Sequence, residues 1–261
     1  MRIEISEDFA PPGGRTPARP LIAVGDVHGY SAPLGALLAH LAEHIDDTYG
    51  AEPVDLVFLG DYVDRGPDPL GVFDLLRKGI GLPSVAQTNL MGNHDWFLAE
   101  AAGLLGVAPD PGLWPTWLQN GGVETLEGLG LPGDDSAEPD QIREALGTEN
   151  VALLEGLGYS FHSGEVLCVH AGLDPRTPLD RQSKRDLLWI REPFLSWDSD
   201  PLERWELPVT VIHGHSPHAN GVFAHRIGVD TGGFSTGIFS AVELTPDIGR
   251  FHRVITDWAR I

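Results

Sequence analysis

The sequence contains a single cysteine among 261 residues, Cys168, so no disulfide can form within the chain. It also lacks any stretch of about 20 apolar residues, the length that a membrane-spanning helix needs. No apolar segment follows the charged residues at the N-terminus, as it would in a secretory signal. These absences predict a cytoplasmic protein that is neither anchored in a membrane nor stabilised by disulfides.

Basic residues are scarce, with 17 Lys and Arg against 38 Asp and Glu, and the formal net charge is −21. Nucleic-acid binding depends on neutralising phosphates with Lys and Arg, and anionic membranes attract basic surfaces. The charge therefore predicts that neither nucleic acid nor a membrane is a partner. It does not predict an oligomeric state.

The hydrophobic fraction of 42% is sufficient for a sizeable core, while 32 glycines and 21 prolines without a repeat indicate many loops. Residues 1–20 include a Pro- and Gly-rich stretch and are predicted to form a loose N-terminal leader. Residues 21–261 are predicted to form one catalytic domain, because no linker divides them into two cores.

Apolar strand patterns alternate with helical patterns in the first half of the chain. Leu21–Val24, 54–59 and 84–90 are predicted to be buried strands with helices between them, which indicates a parallel βαβ core. Residues 106–157 are predicted to form a helical insertion. The strands that follow the insertion predict a second sheet packed on the first. The fold class expected is therefore α/β, a β-sandwich flanked by helices.

Polar side chains of three types follow five of the predicted strands, each beside a glycine. They stand in Gly25-Asp26-Val27-His28-Gly29, Gly60-Asp61-Tyr62-Val63-Asp64-Arg65-Gly66-Pro67, Gly92-Asn93-His94-Asp95, Val169-His170-Ala171-Gly172 and His213-Gly214-His215-Ser216-Pro217. Any one of these segments is also compatible with a polar turn. Together, at the carboxyl ends of strands where open α/β sheets bind ligands, they predict a site for two divalent metals sharing a carboxylate.

With Leu187-Leu188-Trp189-Ile190-Arg191, these motifs resemble the phosphoprotein phosphatase family of calcineurin-like metallophosphoesterases. The resemblance is strongest to the small bacterial and phage-type serine/threonine phosphatases, and it spans roughly 21–233. It implies a metal-dependent phosphomonoester hydrolase, and specifically a serine/threonine protein phosphatase. The substrate implied is a phosphorylated protein or a small phosphoester.

The resemblance also implies two divalent ions per chain. The first would be held by Asp26, His28 and Asp61, and the second by Asp61, Asn93, His170 and His215. Asp61 would then be the bridge, since only a carboxylate has two anionic oxygens to share. Mixed nitrogen and oxygen ligands suit manganese, iron or zinc better than magnesium or calcium, and manganese is the ion expected.

The same resemblance makes His94 the general acid, with Asp64 accepting the other ring N–H of that imidazole. Arg65 and Arg191 would bind the phosphate, since a guanidinium can donate two parallel hydrogen bonds to phosphate oxygens. The alternatives are a helix-start histidine, an acceptor in a turn and arginines that cap carbonyl groups.

Other histidines and one further acid are left open. His40 and His44 lie four residues apart on one predicted helix face, a spacing that can bind metal, but without acids to complete a site we expect them at the surface. Strand alternation places His213 in a packed row, so His215 is the ligand expected in that motif. Asp230 is compatible with either a supporting role beside the metals or a turn.

The main rival function is a symmetrical dinucleoside tetraphosphate hydrolase, which would have the same metal centre. Enzymes of that kind lack the acid that corresponds to Asp64, so its presence favours a phosphomonoester substrate. A remote alternative is an inactive phosphate-binding module. Such a protein should have lost some metal ligands, and all six implied by the resemblance are present.

Overall fold

The computed structural model describes residues 1–106, 112–196 and 208–259, and its strands form two mixed sheets that pack face to face. The strands in chain order are β1 (Arg2–Ile5), β2 (Leu21–Val24), β3 (Val54–Phe58), β4 (Val85–Asn89), β5 (Ser160–Ser163), β6 (Val166–Val169), β7 (Thr210–His213), β8 (Gly221–Val222), β9 (Arg226–Gly228), β10 (Ile238–Leu244) and β11 (Gly249–Ile255). The helices are α1 (Ser31–Tyr49), α2 (Pro69–Lys78), α3 (Asn93–Ala101), α4 (Leu113–Trp117), α5 (Val123–Gly128), α6 (Pro139–Glu155), α7 (Lys184–Trp189) and α8 (Gly233–Thr236).

Parallel strands lie at the centre of both sheets. The first sheet has the order β1-β11-β10-β2-β3-β4, in which β2, β3 and β4 are parallel. The second has the order β5-β6-β7-β9-β8, in which β6, β7 and β9 are parallel. The α/β fold class predicted from the sequence is confirmed. The carboxyl ends of all six parallel strands supply the edge at which the polar motifs lie.

Three apolar clusters hold the layers together. The cluster between the sheets includes Leu21 and Val57 of the first sheet and Cys168 and Ile212 of the second. A larger cluster packs α1, α2 and the insertion against the outer face of the first sheet, and a third covers the outer face of the second. Successive strand residues point to opposite faces of a sheet, and both faces are covered by these clusters. The central strands are therefore apolar on both sides.

Residues 1–20 do not form the loose leader predicted from their composition. Strand β1 pairs antiparallel with β11 and extends the first sheet. Further along, Arg19 forms an ion pair with the buried Asp55, and the N–H of Ala18 donates to Ser163 Oγ over 3.2 Å. The alternation of Ile3 and Ile5 was the only local signal for an edge strand, and long-range pairing rather than local sequence orders this segment.

The described part of the predicted insertion is helical and packs against α2 and α3. A π-helical turn, Leu118–Gly122, connects α4 to α5. Helix α6 bends at Gly147, whose φ of 75° is not helical, so it consists of two helical pieces joined end to end. Residues 107–111 of the predicted insertion lie outside the described residues. None of the helices that the structure describes is long and apolar enough to cross a membrane.

Close backbone approach explains the glycine that ends β3. Gly60 has a φ of 106°, and a Cβ on it would overlap the backbone nitrogen of Gly92 in the next strand-end loop. Only glycine adopts this conformation at little cost. The loops that carry Asp61 and Asn93 both begin with glycine, and this allows their backbones to touch.

Replacing this glycine should destabilise the protein more than replacing an equally left-handed surface glycine. Gly81 has a φ of 77°, and a Cβ added to it would have no atom of the described chain within 4 Å. We expect Gly81→Ala to cost about 1–2 kcal/mol of unfolding free energy from backbone strain alone. Gly60→Ala should cost about 2–5 kcal/mol, because overpacking adds to that strain. Urea denaturation of both variants would measure this, and equal losses would contradict the close-approach argument.

Candidate metal centre

The structure brings the ten predicted site residues to one edge of the sandwich. A cavity of about 320 Å³ opens there. Seven of the ten line this cavity, namely Asp26, Asp61, Arg65, Asn93, His94, Arg191 and His215. The remaining three, His28, Asp64 and His170, are buried directly behind them, with 0–2% of their surface exposed. Sequence positions as distant as 26 and 215 thus contribute to one site.

Backbone strain is concentrated at this edge. Among the described residues, the non-glycine residues with left-handed φ angles are five of the predicted site residues: His28 (49°), Asp61 (55°), Asp64 (71°), Arg65 (69°) and His215 (65°). Each such residue costs of the order of 1–3 kcal/mol, and strained residues of this kind cluster at functional sites. All five residues lie in loops that follow a parallel strand, and Asp61, Arg65 and His215 also line the cavity.

Asp61 lies at the centre of the cluster, and its two carboxylate oxygens face different imidazoles. Oδ1 lies 3.4 Å from His170 Nε2, and Oδ2 lies 3.7 Å from His28 Nε2. Burial raises the pKa of Asp61, but the surrounding imidazoles, His170 foremost, outweigh it and hold the pKa far below its ordinary value. The carboxylate is therefore charged and shared between two sides of the site.

Backbone carbonyls orient two of the imidazoles. His28 Nδ1 donates to the carbonyl of Val63 over 3.0 Å, and His170 Nδ1 donates to that of Leu59 over 2.9 Å. Because a carbonyl only accepts, Nδ1 carries the proton and Nε2 keeps its lone pair. In His28 this nitrogen accepts from Arg65 Nη1 over 2.7 Å, and in His170 it lies 3.4 Å from Asp61 Oδ1. This arrangement, in which the second ring nitrogen is held by a backbone group, is typical of metal-binding histidines.

Acceptor atoms converge around His170 and His215, and one of them, Asp61 Oδ1, also accepts from the His94 N–H over 2.9 Å. The lone pair of His170 Nε2 lies 3.0 Å from Asn93 Oδ1 and 3.4 Å from Asp61 Oδ1. His215 Nε2 is buried and has no hydrogen-bond partner within the described residues. Burial lowers the pKa of His215 to about 2, so the ring is neutral. Neutral nitrogens and oxygens that converge in this way are satisfied by a cation.

At this edge, two groups of three side chains have ligand atoms within 4.8 Å of one another: His28, Asp61 and His94 in one, and Asp61, His170 and His215 in the other. Asp61 belongs to both. The donor set of imidazole, carboxylate and amide oxygen fits a transition-metal ion, so the residues present fit the divalent metals implied by the motifs.

Asp26 lines the cavity beside a second acid, Asp230. Both carboxylate oxygens of Asp26 accept from the backbone N–H of His215, at 3.1 and 3.2 Å. Burial, followed by the charges of Asp230 and Asp61, raises the pKa of Asp26 well above its ordinary value. Burial likewise raises the pKa of Asp230 to about 6. Two buried acids that repel each other would be stabilised in their charged forms by a cation nearby.

His94 and Asp64 form a buried pair at the wall of the cavity. His94 Nδ1 donates to Asp64 Oδ2 over 2.6 Å, so Nε2 is the nitrogen left to face the cavity. Burial lowers the pKa of His94, but the carboxylates of Asp61 and Asp64 outweigh it and the net pKa is raised. The insertion holds the acid in place, since Trp117 Nε1 donates to Asp64 Oδ2 over 2.9 Å and Thr125 Oγ1 donates to Oδ1 over 2.6 Å.

Two guanidinium groups and several aromatic rings complete the cavity. Arg65 Nη2 lies 3.0 Å from His94 Nε2, and its guanidinium carbon stacks 4.3 Å above the ring of Phe234. Arg191 is exposed and follows α7 at the rim. The half-buried Trp189 also lines the cavity.

Some residues that shape the site were not predicted from the sequence. Asp95 is fully buried, and its carboxylate accepts the backbone N–H groups of Asp61 (2.8 Å) and Tyr62 (2.9 Å), which holds the Asp61 loop in its strained conformation. Its position in the first turn of α3 was the available signal, because acids are common there. Trp117 and Thr125 carried no signal, since their role depends on the docking of the insertion.

The fold and this cluster define a metallophosphoesterase, a hydrolase of phosphoesters whose relatives use divalent metals. A model of the family described as calcineurin-like phosphoesterase matches residues 19–236. The chain belongs to the calcineurin-like phosphoesterase family. The family-level resemblance found in the motifs is thereby confirmed, and a comparison with curated protein sequences finds no match.

Solved structures of other proteins share the fold. A putative diadenosine tetraphosphatase is 24% identical, with a TM-score of 0.58 over 87% of this chain and 89% of its own. A cold-active protein-tyrosine phosphatase of a psychrophilic Shewanella is 16% identical, with a TM-score of 0.51 over 87% of this chain and 75% of its own. These likenesses establish the common fold and do not identify a substrate.

The two histidines of the His213-Gly214-His215 motif have different surroundings. His213 is fully buried, donates from Nδ1 to the carbonyl of Gly214 over 3.0 Å and packs edge-on against Phe194 at 5.2 Å. We therefore expect His215→Ala to lose one metal ion per chain relative to the wild type, because it removes a member of the Asp61 cluster. His213→Ala should retain the wild-type metal content and lose some stability, because it removes packing.

Metal analysis of both variants after saturation with manganese, together with thermal denaturation, would test this assignment. Loss of metal from His213→Ala with retention in His215→Ala would show that the motif has been aligned wrongly by two residues.

Proposed function

We propose that this metallophosphoesterase is a serine/threonine phosphoprotein phosphatase that acts with two manganese ions. The proposal rests on the His94–Asp64 pair, which places an oriented imidazole nitrogen at a cavity that Arg65 and Arg191 also line. A serine or threonine alkoxide is a basic leaving group and needs a proton donor at this position. The strongly acidic chain is proposed to act in the cytoplasm, on neither nucleic acid nor membranes.

The ligands proposed for the first ion are Asp26, His28 and Asp61, and those for the second are Asp61, Asn93, His170 and His215. The position of Asp61 in both three-residue groups supports a shared carboxylate. Divalent ions in such a site supply a nucleophile from water at neutral pH and neutralise charge on the phosphoryl oxygens.

The residues of this chain perform the remaining work. Arg65 and Arg191 donate hydrogen bonds to the phosphoryl oxygens and orient the ester for attack opposite the leaving oxygen. As the bond between phosphorus and that oxygen breaks, His94 Nε2 gives its proton to the oxygen, and the products are phosphate and the free hydroxyl side chain. Asp64 acts through His94, because its contact with Nδ1 fixes the ring orientation and stabilises the protonated imidazole.

Removal of the proton donor should affect substrates according to their leaving groups. We expect His94→Asn to keep the wild-type metal content and to lower kcat for a phosphoserine peptide by about 10²–10⁴-fold. The loss for p-nitrophenyl phosphate should be smaller, because its leaving group is less basic. Steady-state kinetics with both substrates would measure the difference, and equal losses would exclude a general-acid role.

Asp64→Asn serves as the companion variant. It should lower kcat less than His94→Asn does, and the double variant should be no slower than His94→Asn alone, since groups that act as a unit are non-additive.

A second candidate function, hydrolysis of a dinucleoside tetraphosphate, is favoured by the aromatic lining of the cavity. Phe97, Trp189 and Phe234 border the phosphate-binding arginines and could stack against a base. A solved structure described as a putative diadenosine tetraphosphatase shares the fold, which is a reason to test this substrate class as well. Trp189 contacts both Trp96 and Phe97 edge-on, so the aromatic side chains pack together beside the cavity.

The two candidates are separated by assaying the manganese-loaded protein on a phosphoserine peptide, a phosphotyrosine peptide and diadenosine tetraphosphate in parallel. We expect kcat/KM to be highest for the phosphoserine peptide. Trp189→Leu should change this value little, whereas it should lower activity on the tetraphosphate if a base stacks there. A higher kcat/KM for diadenosine tetraphosphate, sensitive to Trp189→Leu, would overturn the phosphatase proposal in favour of the second candidate.

A further inference from the structure

A second cluster of metal-binding side chains lies away from the catalytic edge. It consists of His44 on α1, Glu243 on β10 and His252 on β11, whose ligand atoms lie within 4.8 Å of one another. His44 Nε2 is 3.1 Å from both oxygens of Glu243, and His252 Nε2 is 3.0 Å from Oε2. The sequence predicted a surface position for His44 because no acid was found to complete a site. In the fold that acid is Glu243, which is 199 residues away along the chain.

The cluster is separate from the centre around Asp61. Strand β10 runs antiparallel to β2, and Glu243 pairs with Ile22 near the start of β2, whereas Asp26 follows its end. The cavity of about 580 Å³ beside the cluster is lined by residues that precede β2 and β3, including Arg19 and Pro53. The cluster therefore faces the opposite end of the sheet.

The separations between Glu243 and the two imidazoles are of the size expected around a tetrahedral ion. Zinc bonds imidazole nitrogen and carboxylate oxygen at about 2.0–2.2 Å, which places neighbouring ligand atoms about 3.3 Å apart. The separations of 3.0 and 3.1 Å around Glu243 are close to this value. Two histidines and one glutamate are a donor set found in zinc sites that keep a fourth position for water.

Both imidazoles have partners for their second nitrogen. His252 Nδ1 lies 3.0 Å from His40 Nε2, and His44 Nδ1 lies 3.4 Å from Thr48 Oγ1. With the protons on the two Nδ1 atoms, these partners accept hydrogen bonds and both Nε2 lone pairs point at the same space. Such outer contacts fix the tautomer and orientation of metal-binding histidines.

Burial and charge also favour a cation. Glu243 and His252 are buried, with side-chain exposures of 2% and 0%, and the His44 side chain is 12% exposed. Glu243 also accepts from the Tyr49 hydroxyl, and Arg250 Nε lies 3.5 Å from its Oε2. The competing charge of Arg250 is partly neutralised by Asp8, 3.1 Å from the same nitrogen. Thr48, Tyr49 and Glu243 line the adjacent cavity, which gives an ion access to the cluster.

We propose that His44, Glu243 and His252 bind one divalent ion of the zinc type, with its fourth position open to water or a small ligand in the adjacent cavity. This site is additional to the catalytic centre. It links α1 to β10 and β11, so occupancy should stabilise that side of the first sheet.

Zinc counting on matched variants of the full chain tests the proposal. After saturation with zinc and removal of free ion, His44→Ala should hold one zinc per chain fewer than the wild type, as measured by elemental analysis. His162→Ala is the control, because it removes an exposed strand histidine outside the cluster and should retain the wild-type number. Glu243→Gln should also lose one zinc, and circular dichroism would check that both variants are folded.

Two further measurements distinguish this site from the catalytic centre without counting the metal ions bound there. His40→Ala removes only the outer partner of His252, so it should weaken the zinc affinity of this site by about 10–100-fold without removing a ligand. His44→Ala should keep wild-type phosphoesterase activity, because it lies outside the catalytic machinery. If folded His44→Ala and Glu243→Gln both retain the wild-type zinc number, the proposal is overturned and the cluster is a hydrogen-bonded network without metal.

Discussion

Acceptor atoms converge on Asp61, and this convergence explains the strained loops that surround it. A charged carboxylate, two oriented imidazole nitrogens and an amide oxygen meet in a buried space. Without positive charge such a group of atoms is costly to bury, because the donors within reach, such as the His94 N–H on Asp61 Oδ1, do not replace all the water that it loses. Divalent ions would satisfy these atoms, so the site that is costly for folding is also the one whose side chains could hold metal.

The fold accepts local strain to create this convergence. Parallel strands from two sheets bring their carboxyl ends to one edge, and left-handed residues such as Asp61 and His215 then turn side chains into the cavity. Asp95 and the glycines at 60 and 92 hold the central loops in contact. Strain of this kind persists only where surrounding structure determines it fully, and here the buried sandwich does so.

The fold class and the composition of the site were predictable because their signals are local. Buried parallel strands are short apolar runs, and the glycine-flanked motifs at their ends place Asp, His and Asn on known sides of a sheet. The residues missed depend on contacts between distant segments. Trp117 reaches Asp64 only because the insertion docks, Glu243 reaches His44 only because β10 pairs with β2, and β1 forms only because β11 provides an edge.

The proposed sharing of Asp61 between two ions is tested most directly by metal content. After saturation with manganese, Asp61→Asn should hold two ions per chain fewer than the wild type, because the amide cannot supply two anionic oxygens. His215→Ala, measured beside it, should hold one fewer, because it belongs to one of the two groups. If folded Asp61→Asn loses only one ion, or none, Asp61 is not a bridge and the account of the metal centre is wrong.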